Sequence, residues 1–380
     1  MARRVLGLCS GTSADGLDLA LVEIEGRGAA RGVRFLAGGV EPLPETLRAA
    51  LLDPPPGLAA LARLHGDLGR FQARAARCFL DRAGLGPPDL AGSHGQTVFH
   101  HDGDPEDGSL QIGDPAPLAR ALGCPVVSDF RAADLAEGGQ GAPVSPFADW
   151  VLHRKTAPEA VILNLGGIAN LTLLRGEEPP RAWDCGPANA PLDAAVRQSG
   201  LGPCDRDGAL ARRGRVRPEV LEWILADPFF QRPLPRSTGV ERFGAPLVER
   251  LTESFPGLLL EDLLATCVEA CARAVAASLD RAGGFRGPVF VCGGGARNPA
   301  LLEALEAALG PQRPLRSYRE LGWDPDLREA VAFALLADAC WHGEAAAWPS
   351  TTGCRRPAVL GRISPAPPGG RHPEGGAGAG

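Results

Sequence analysis

The sequence predicts an α/β protein built from two domains, and three observations point there. Strand-like and helix-like segments alternate along the chain. Its 380 residues leave room for two cores. One design, strand then glycine-rich turn then strand, opens the chain at residues 7–26 and returns from Ala160 onward. With 44% hydrophobic residues and abundant glycine and proline, the composition is that of a soluble enzyme rather than a disordered or repeat protein.

The opening stretch, GLCSGTSADGLDLALVEIEG, fits the G-x-nucleophile-x-G elbow of α/β hydrolases, with Cys9 as the nucleophile. That elbow must lead into a helix. Here Leu17–Ile24 is β-compatible and is closed by Gly26 and Gly28, so the loop is a strand-turn-strand tip. Such a tip offers backbone N–H groups and hydroxyls to a small anion, phosphate above all. Asp15 or Asp18 would repel a bare phosphate, which calls for a divalent cation between them. A hairpin turn with no ligand is the plain alternative, and the stretch alone leaves it open.

Beyond the hairpin, apolar residues at helical spacing from Leu58 to Phe79 predict a helix over 57–84. Short strands at 89–92 and 125–128 deliver SHGQTVFHH and DFRAADLAEGGQGAP to loops, and a helix follows at about 143–154. The strand Ala160–Leu163 leads to NLGGIANLTLL, and residues near 182–183 deliver DCGPANAP. Helices are expected around 205–214, 217–226, 243–254 and 260–282, then a strand at 288–292 and a last helix at about 326–342. The Pro/Gly-rich end, 364–380, reads as a disordered tail.

A net charge of −6 argues against nucleic acid as the main partner. Of 39 basic residues only Lys155 is lysine, which excludes a Walker A loop and the strand lysine of protein kinases. The ten cysteines contain no C-x-x-C pair and suit a reducing cytoplasm. Cys267 and Cys271 share a helix but lack further ligands nearby for a metal. The start has no signal-like apolar region and no segment has the length of a membrane span, so no membrane partner is expected.

Four further loops have residues suited to chemistry. Gly293-Gly294-Gly295-Ala296-Arg297-Asn298 fits a dinucleotide fingerprint poorly, because its sixth position is Asn298, yet its glycines would let a flat ring approach the backbone. A turn with only a packing role is the alternative. Asp184, between a strand end and a Gly-Pro turn, could take a proton from an attacking hydroxyl or water, or could merely bond its own backbone. His94, Gln96, Asp129, Arg131 and Asp134 mix donors with acceptors as a sugar ring requires, with Arg131 a fork for a carboxylate. The same residues could equally tie the loops to each other. His100 and His101 read as solvated loop residues.

Taken in order, SGTSADGLD, SHGQT, QIGDP, SDFRAADLAEGGQGAP, LNLGGIANLT, DCGPANA, DRDGALA, RSTGVERF, CGGGARNPAL and REAVAFALLA resemble the anhydro-N-acetylmuramic acid kinases. That family lies within the actin, Hsp70 and sugar kinase superfamily. The resemblance runs from about residue 5 to 363. It implies two actin-like (ribonuclease H-like) domains, 1–135 completed by 340–363 and 136–339, with ATP and sugar in the cleft between them. It also implies ATP-dependent hydrolytic opening of 1,6-anhydro-N-acetylmuramate, with phosphorylation of O6, in peptidoglycan recycling.

By matching position, Gly11, Thr12, Ser13, Ala14, Asp15, Gly16, Leu17 and Asp18 would form the first phosphate loop. Asp15 would meet Mg²⁺ indirectly, through Mg-ATP. Gly166, Gly167 and Asn170 would form the second loop, and Gly293, Gly294, Gly295 and Asn298 would face the nucleoside. Asp184 becomes the base, Glu329 assists at the sugar, and Arg131 binds it. The resemblance leaves the oligomeric state open, a homodimer being one option. Cys9, Cys185, Ala188 and Pro191 depart from the family pattern, and Cys185 beside the base puts its fine positioning in question. An ordinary sugar kinase and an actin-like switch are the competing readings.

Overall fold

The computed structural model describes residues 2–11, 14, 16–101, 106, 108–371 and 373. Thr12, Ser13 and Asp15 of the expected phosphate loop therefore lie outside the described residues. The chain divides into two units: one from Met1–Leu152, Asp326–Pro349 and Gly353–Gly380, the other from His153–Pro325 and Ser350–Thr352.

In the first unit, β1 (Arg3–Ser10), β2 (Gly16–Glu25) and β3 (Gly32–Pro42) form an antiparallel meander. β1 and β2 are buried along nearly their whole length, which is why their apolar runs hardly alternate. Helices α1 (Glu45–Leu52) and α2 (Leu58–Arg82) follow, α2 burying Leu64, Leu68, Phe71, Ala75 and Phe79 on one face. β4 (Leu90–Ser93) then runs parallel to β1. The segment after it is a strand rather than the expected loop: β5 (Gln96–His100) pairs with β6 (Ser109–Ile112) in a separate hairpin. After α3 (Pro115–Leu122), β7 (Val126–Ser128) joins parallel to β4, and α4 (Ala132–Ala136) and α5 (Pro146–His153) complete this stretch.

The second unit repeats the plan. β8 (Glu159–Leu165), β9 (Ile168–Arg175) and β10 (Arg181–Pro187) are antiparallel, while β11 (Val289–Cys292) and β12 (Leu315–Ser317) add in parallel beside β8. The strand order β10-β9-β8-β11-β12 matches β3-β2-β1-β4-β7 of the first sheet. Helices α6 (Asn189–Gln198), α7 (Pro218–Leu225), α8 (Val240–Phe243), α9 (Ala245–Ser254), α10 (Leu260–Arg281) and α11 (Pro299–Leu309) belong to this unit. The helix expected at 205–214 is instead two 3-10 turns, Arg206–Gly208 and Ala211–Arg213. The Asp205 carboxylate accepts from Leu210 and Ala211 N–H, and Asp207 at φ 58° breaks the helical path.

The last helix, α12 (Arg328–Trp341), belongs to the first unit, although the sequence reading placed it in the second domain up to residue 339. Residues 136–152 likewise group with the first unit. Burial explains the assignment of α12. It is apolar nearly all round, and two sheet glycines let it lie directly on the strands. A Cβ at Gly7 would stand 1.8 Å from Ala330 O, and one at Gly92 would stand 2.2 Å from Phe333 O. The chain then returns as β13 (Arg362–Ser364), antiparallel to β7. Ser364 thus belongs to a sheet rather than to the expected tail, and Arg371 N–H donates to Gly123 O at 2.7 Å. Residues 372 and 374–380 of that tail lie outside the described residues.

Candidate functional site

The tip of the first hairpin is set by register. Ser10 pairs with Leu17 and Cys9 with Asp18, and Ala14 N–H closes the turn on Gly11 O at 3.0 Å with Ala14 at φ 50°. Gln96 at the start of β5 reaches back and donates through Nε2 to Gly11 O at 3.2 Å, and its buried Oε1 has no partner among the described residues. Gln96 thereby ties the start of β5 to the tip of the first hairpin.

Seating α12 on β1 brings Glu329 to Cys9, whose thiol lies 3.5 Å from Glu329 Oε2. Burial first, then Glu329 and Asp18, push the Cys9 thiol well above its ordinary pKa. A hydrolase-type thiolate is therefore disfavoured at this position. Asp18 is pushed up to about 7, by burial and then by Glu329 and Asp326. A carboxyl group held at such a cost at Asp18 fits an approaching cation, whose charge would relieve it.

His94 is buried beneath Phe333 of α12, ring centroids 4.6 Å apart, and its Nε2 lies 3.5 Å from Arg131 Nη2. Burial and then the neighbouring Arg131 charge lower its pKa to about 3, against a smaller opposing effect of the Gly95 backbone, so the imidazole is neutral. Arg131 Nη1 donates to Gly141 O at 3.1 Å. The two aspartates of this loop serve the loop itself. Asp134, 1% exposed, accepts the Gly141 N–H at 2.7 Å, and Asp129 accepts from Ala132 N–H and pairs with Arg362 at 3.0 Å. His101 is buried with Nε2 2.9 Å from Gln140 O, and His100 Nδ1 meets Ser109 Oγ, so neither is the solvated residue expected.

In the second unit a polar row crosses the sheet. Cys292 pairs with Asn164, Asn164 with Asn170, and Asn170 with Asp184, so these side chains share one face of neighbouring strands. Gly166 and Gly167 form the turn between β8 and β9, held by Asn189, whose Nδ2 donates to Leu165 O at 2.9 Å and Gly166 O at 2.8 Å. A Cβ at Gly166 would meet Asn164 Nδ2 and Ile168 O at 3.6 Å, and one at Gly167 would meet Val240 Cγ1 at 3.2 Å. Gly293, at φ 80°, packs so near that a Cβ would lie 2.5 Å from Asn164 Oδ1. Asn298 caps α11, its Oδ1 accepting from Ala300 and Leu301 N–H at 3.1 and 3.3 Å.

Asp184 is 7% exposed at a bulge in β10. Its Oδ2 accepts from Ser237 Oγ at 3.0 Å and from the Thr238 N–H at 2.8 Å. The backbone on either side is tied to Arg236: the Asp184 N–H donates to Arg236 O, and Arg236 Nε donates to Asp184 O at 3.2 Å. Ser237 and Thr238 were not singled out from the sequence. The only signal was the hydroxyl pair inside RSTGVERF, and nothing local says which carboxylate it meets.

The structure places two of the departures near Asp184. Cys185 faces the opposite side of the strand, fully buried beside Ser278 at 3.3 Å. Pro191 occupies the first turn of α6, where no intrahelical N–H bond is lost. Cys267 and Cys271 lie within the core face of α10, and no metal-sized group of His, Cys, Asp or Glu occurs among the described residues.

Two units with one strand order, each opening on a hairpin whose tip is glycine-rich, define a protein of the actin, Hsp70 and sugar kinase class. The family model described as "Anhydro-N-acetylmuramic acid kinase" matches residues 3–366, and the chain belongs to that family. A relative of that name from Gloeobacter violaceus is 43% identical, over 95% of this chain and 98% of that protein. Another, from Pseudomonas putida, is 41% identical over 95% and 99%. Among solved structures, an activator of the 2-hydroxyisocaproyl-CoA dehydratase from Clostridium difficile aligns at 14% identity and a TM-score of 0.41, over 88% of this chain and 94% of that one.

Proposed function

We propose that this chain is a kinase that opens 1,6-anhydro-N-acetylmuramate with water and phosphorylates O6 at the expense of ATP, giving N-acetylmuramate 6-phosphate and ADP in cell-wall recycling. The observation that carries the reading is the family match across residues 3–366, with every loop expected to hold chemistry falling inside it. No described helix is long and apolar enough to cross a membrane, and the cytoplasm is the proposed location.

Asp184 is the base. Held by Ser237 and Thr238, it takes a proton from water as the water oxygen bonds to the anomeric carbon. The C1–O6 bond breaks, its electron pair stays on O6, and O6 takes up the phosphoryl group. The proton on Asp184 leaves to solvent, which restores the carboxylate. Bound Mg-ATP supplies that phosphoryl group, and the metal's charge screens the phosphates from nearby carboxylates.

The turn at Gly166 and Gly167, the glycines 293–295 and the Gly11 turn are the groups that would hold the nucleotide. His94, Gln96 and Arg131 contact the sugar, His94 as a neutral ring and Arg131 toward its carboxylate, while Asp129 and Asp134 keep the loop in shape. Glu329 assists at the sugar.

The test is ADP release with ATP, Mg²⁺ and the anhydro sugar, with N-acetylmuramate and N-acetylglucosamine in parallel and the product mass recorded. Release that requires the anhydro sugar, with a product heavier by phosphate plus water, supports the reading. Release with a free sugar alone would make it an ordinary sugar kinase, and no sugar dependence would favour a switch.

A further inference from the structure

Resting on that reading, we propose that Thr238 is a second catalytic residue, whose hydroxyl holds the attacking water beside Asp184, and that Ser237 is the positioning residue for the carboxylate. The two neighbours reach Asp184 through different groups. Ser237 uses its side chain, at 3.0 Å, and Thr238 uses its backbone N–H, at 2.8 Å. The Thr238 hydroxyl is therefore not spent on the carboxylate. It is buried, on a residue 9% exposed, and has no hydrogen-bond partner among the described residues. A buried hydroxyl without a partner is unfavourable, and it persists where a ligand completes it.

A hydroxyl can accept from one water hydrogen while the carboxylate accepts the other, so the pair fixes both the position and the lone-pair direction of the nucleophile. Arg236 binds the Asp184 backbone oxygen and stacks over Phe229 with its guanidinium 4.5 Å from the ring centroid. Beyond it lie Arg281, donating to Phe230 O, and Arg232; Cys185 is a buried thiol raised to about 12, and the Glu241 carboxylate lies against Gly239, where a Cβ would stand 2.0 Å from its Oε1. Of the two carboxylates, Asp184 is the one that the Ser237 hydroxyl and the Thr238 N–H bind, so Asp184 is the base that Thr238 can serve.

The experiment compares Thr238→Val, Thr238→Ser and Ser237→Ala with the unaltered protein in steady-state kinetics from pH 5 to 9, alongside thermal melts. Thr238→Val removes the hydroxyl but keeps the backbone donor. It should lower kcat about tenfold to a hundredfold with KM for sugar and ATP within about twofold and the acid limb of the rate profile in place. Thr238→Ser should recover most of the loss. Ser237→Ala removes a donor to the charged carboxylate, which raises the Asp184 pKa, so its acid limb should move to higher pH.

A Thr238→Val enzyme with unaltered kcat overturns the proposal, as does a loss confined to sugar KM. A loss that serine fails to rescue, or that accompanies a large fall in melting temperature, also overturns it by making the role structural. If the unaltered protein shows no turnover dependent on the anhydro sugar, it is the proposed function that has failed rather than the assignment of Thr238.

Discussion

Gly7→Ala tests whether the seating of α12 on β1 builds the first half of the site. The added Cβ would stand 1.8 Å from Ala330 O, 2.7 Å from Ala334 N and 2.9 Å from Ala330 C, all backbone atoms of a buried helix. A carbon–oxygen contact needs about 3.3 Å, so the helix must withdraw by about 1.5 Å or the strand must bend. Overpacking of this kind costs about 1–3 kcal/mol, and backbone obstacles place it toward the upper end. At roughly 2–4 °C per kcal/mol for a unit of this size, the melting temperature should fall by several degrees. Because Glu329 rides on the first turn of α12, 3.5 Å from Cys9, the shift also moves that carboxylate. A displacement near 1 Å can cost about a hundredfold in rate, so kcat should fall by at least about tenfold. The assay is differential scanning calorimetry with steady-state ADP release. Gly32→Ala, where an added Cβ meets nothing within 4 Å, is the control and should change stability by under about 0.5 kcal/mol. A Gly7→Ala protein that melts and turns over like its parent would refute the close seating of α12.

Asp184→Asn can present its Oδ1 to Ser237 and Thr238 and so keep the fold, while losing the proton acceptor. Nucleotide binding should persist by calorimetry while turnover drops about a hundredfold or more, and retention of over about a tenth of activity would sink the base role. The ion pair of Arg328 with Asp149, 2.5 Å apart with both side chains buried, anchors the start of α12 to α5. Arg328→Met strands a buried carboxylate and should cost about 3–5 kcal/mol in urea unfolding, whereas Arg328→Met with Asp149→Leu should recover most of it; equal losses would deny the pair its coupling. Asp18 is raised in the folded state to about 7 from an ordinary 3.8, so the folded form binds more protons and stability falls as pH rises from about 4 to 7. In the absence of nucleotide, Asp18→Asn should melt above its parent at pH 8 and show a flatter profile, and parallel profiles would remove Asp18 as the cause.

The sequence alone was sufficient for everything that depends on local pattern. Both strand-turn-strand hairpins, the α/β class, the helix over Leu58–Arg82 and the glycine turn after β11 follow from periodicity and from residues whose backbone freedom is diagnostic. The order of ten short motifs was enough to point to the family. Tertiary structure decided what depends on partners distant in sequence. Ser237 meets Asp184 across 53 positions and Cys9 meets Glu329 across 320, and no local signal names either partner. Periodicity marks α12 as buried but cannot say against which sheet, so its unit was legible only once Gly7 and Gly92 were seen beneath it. Similarly, Asp129 and Asp134 look like sugar ligands by residue type, and only folding shows that they also accept from the backbone of Ala132 and Gly141. Which polar groups are left over for a substrate is settled by subtraction, after every internal hydrogen bond has formed, and that sum exists only in the folded chain.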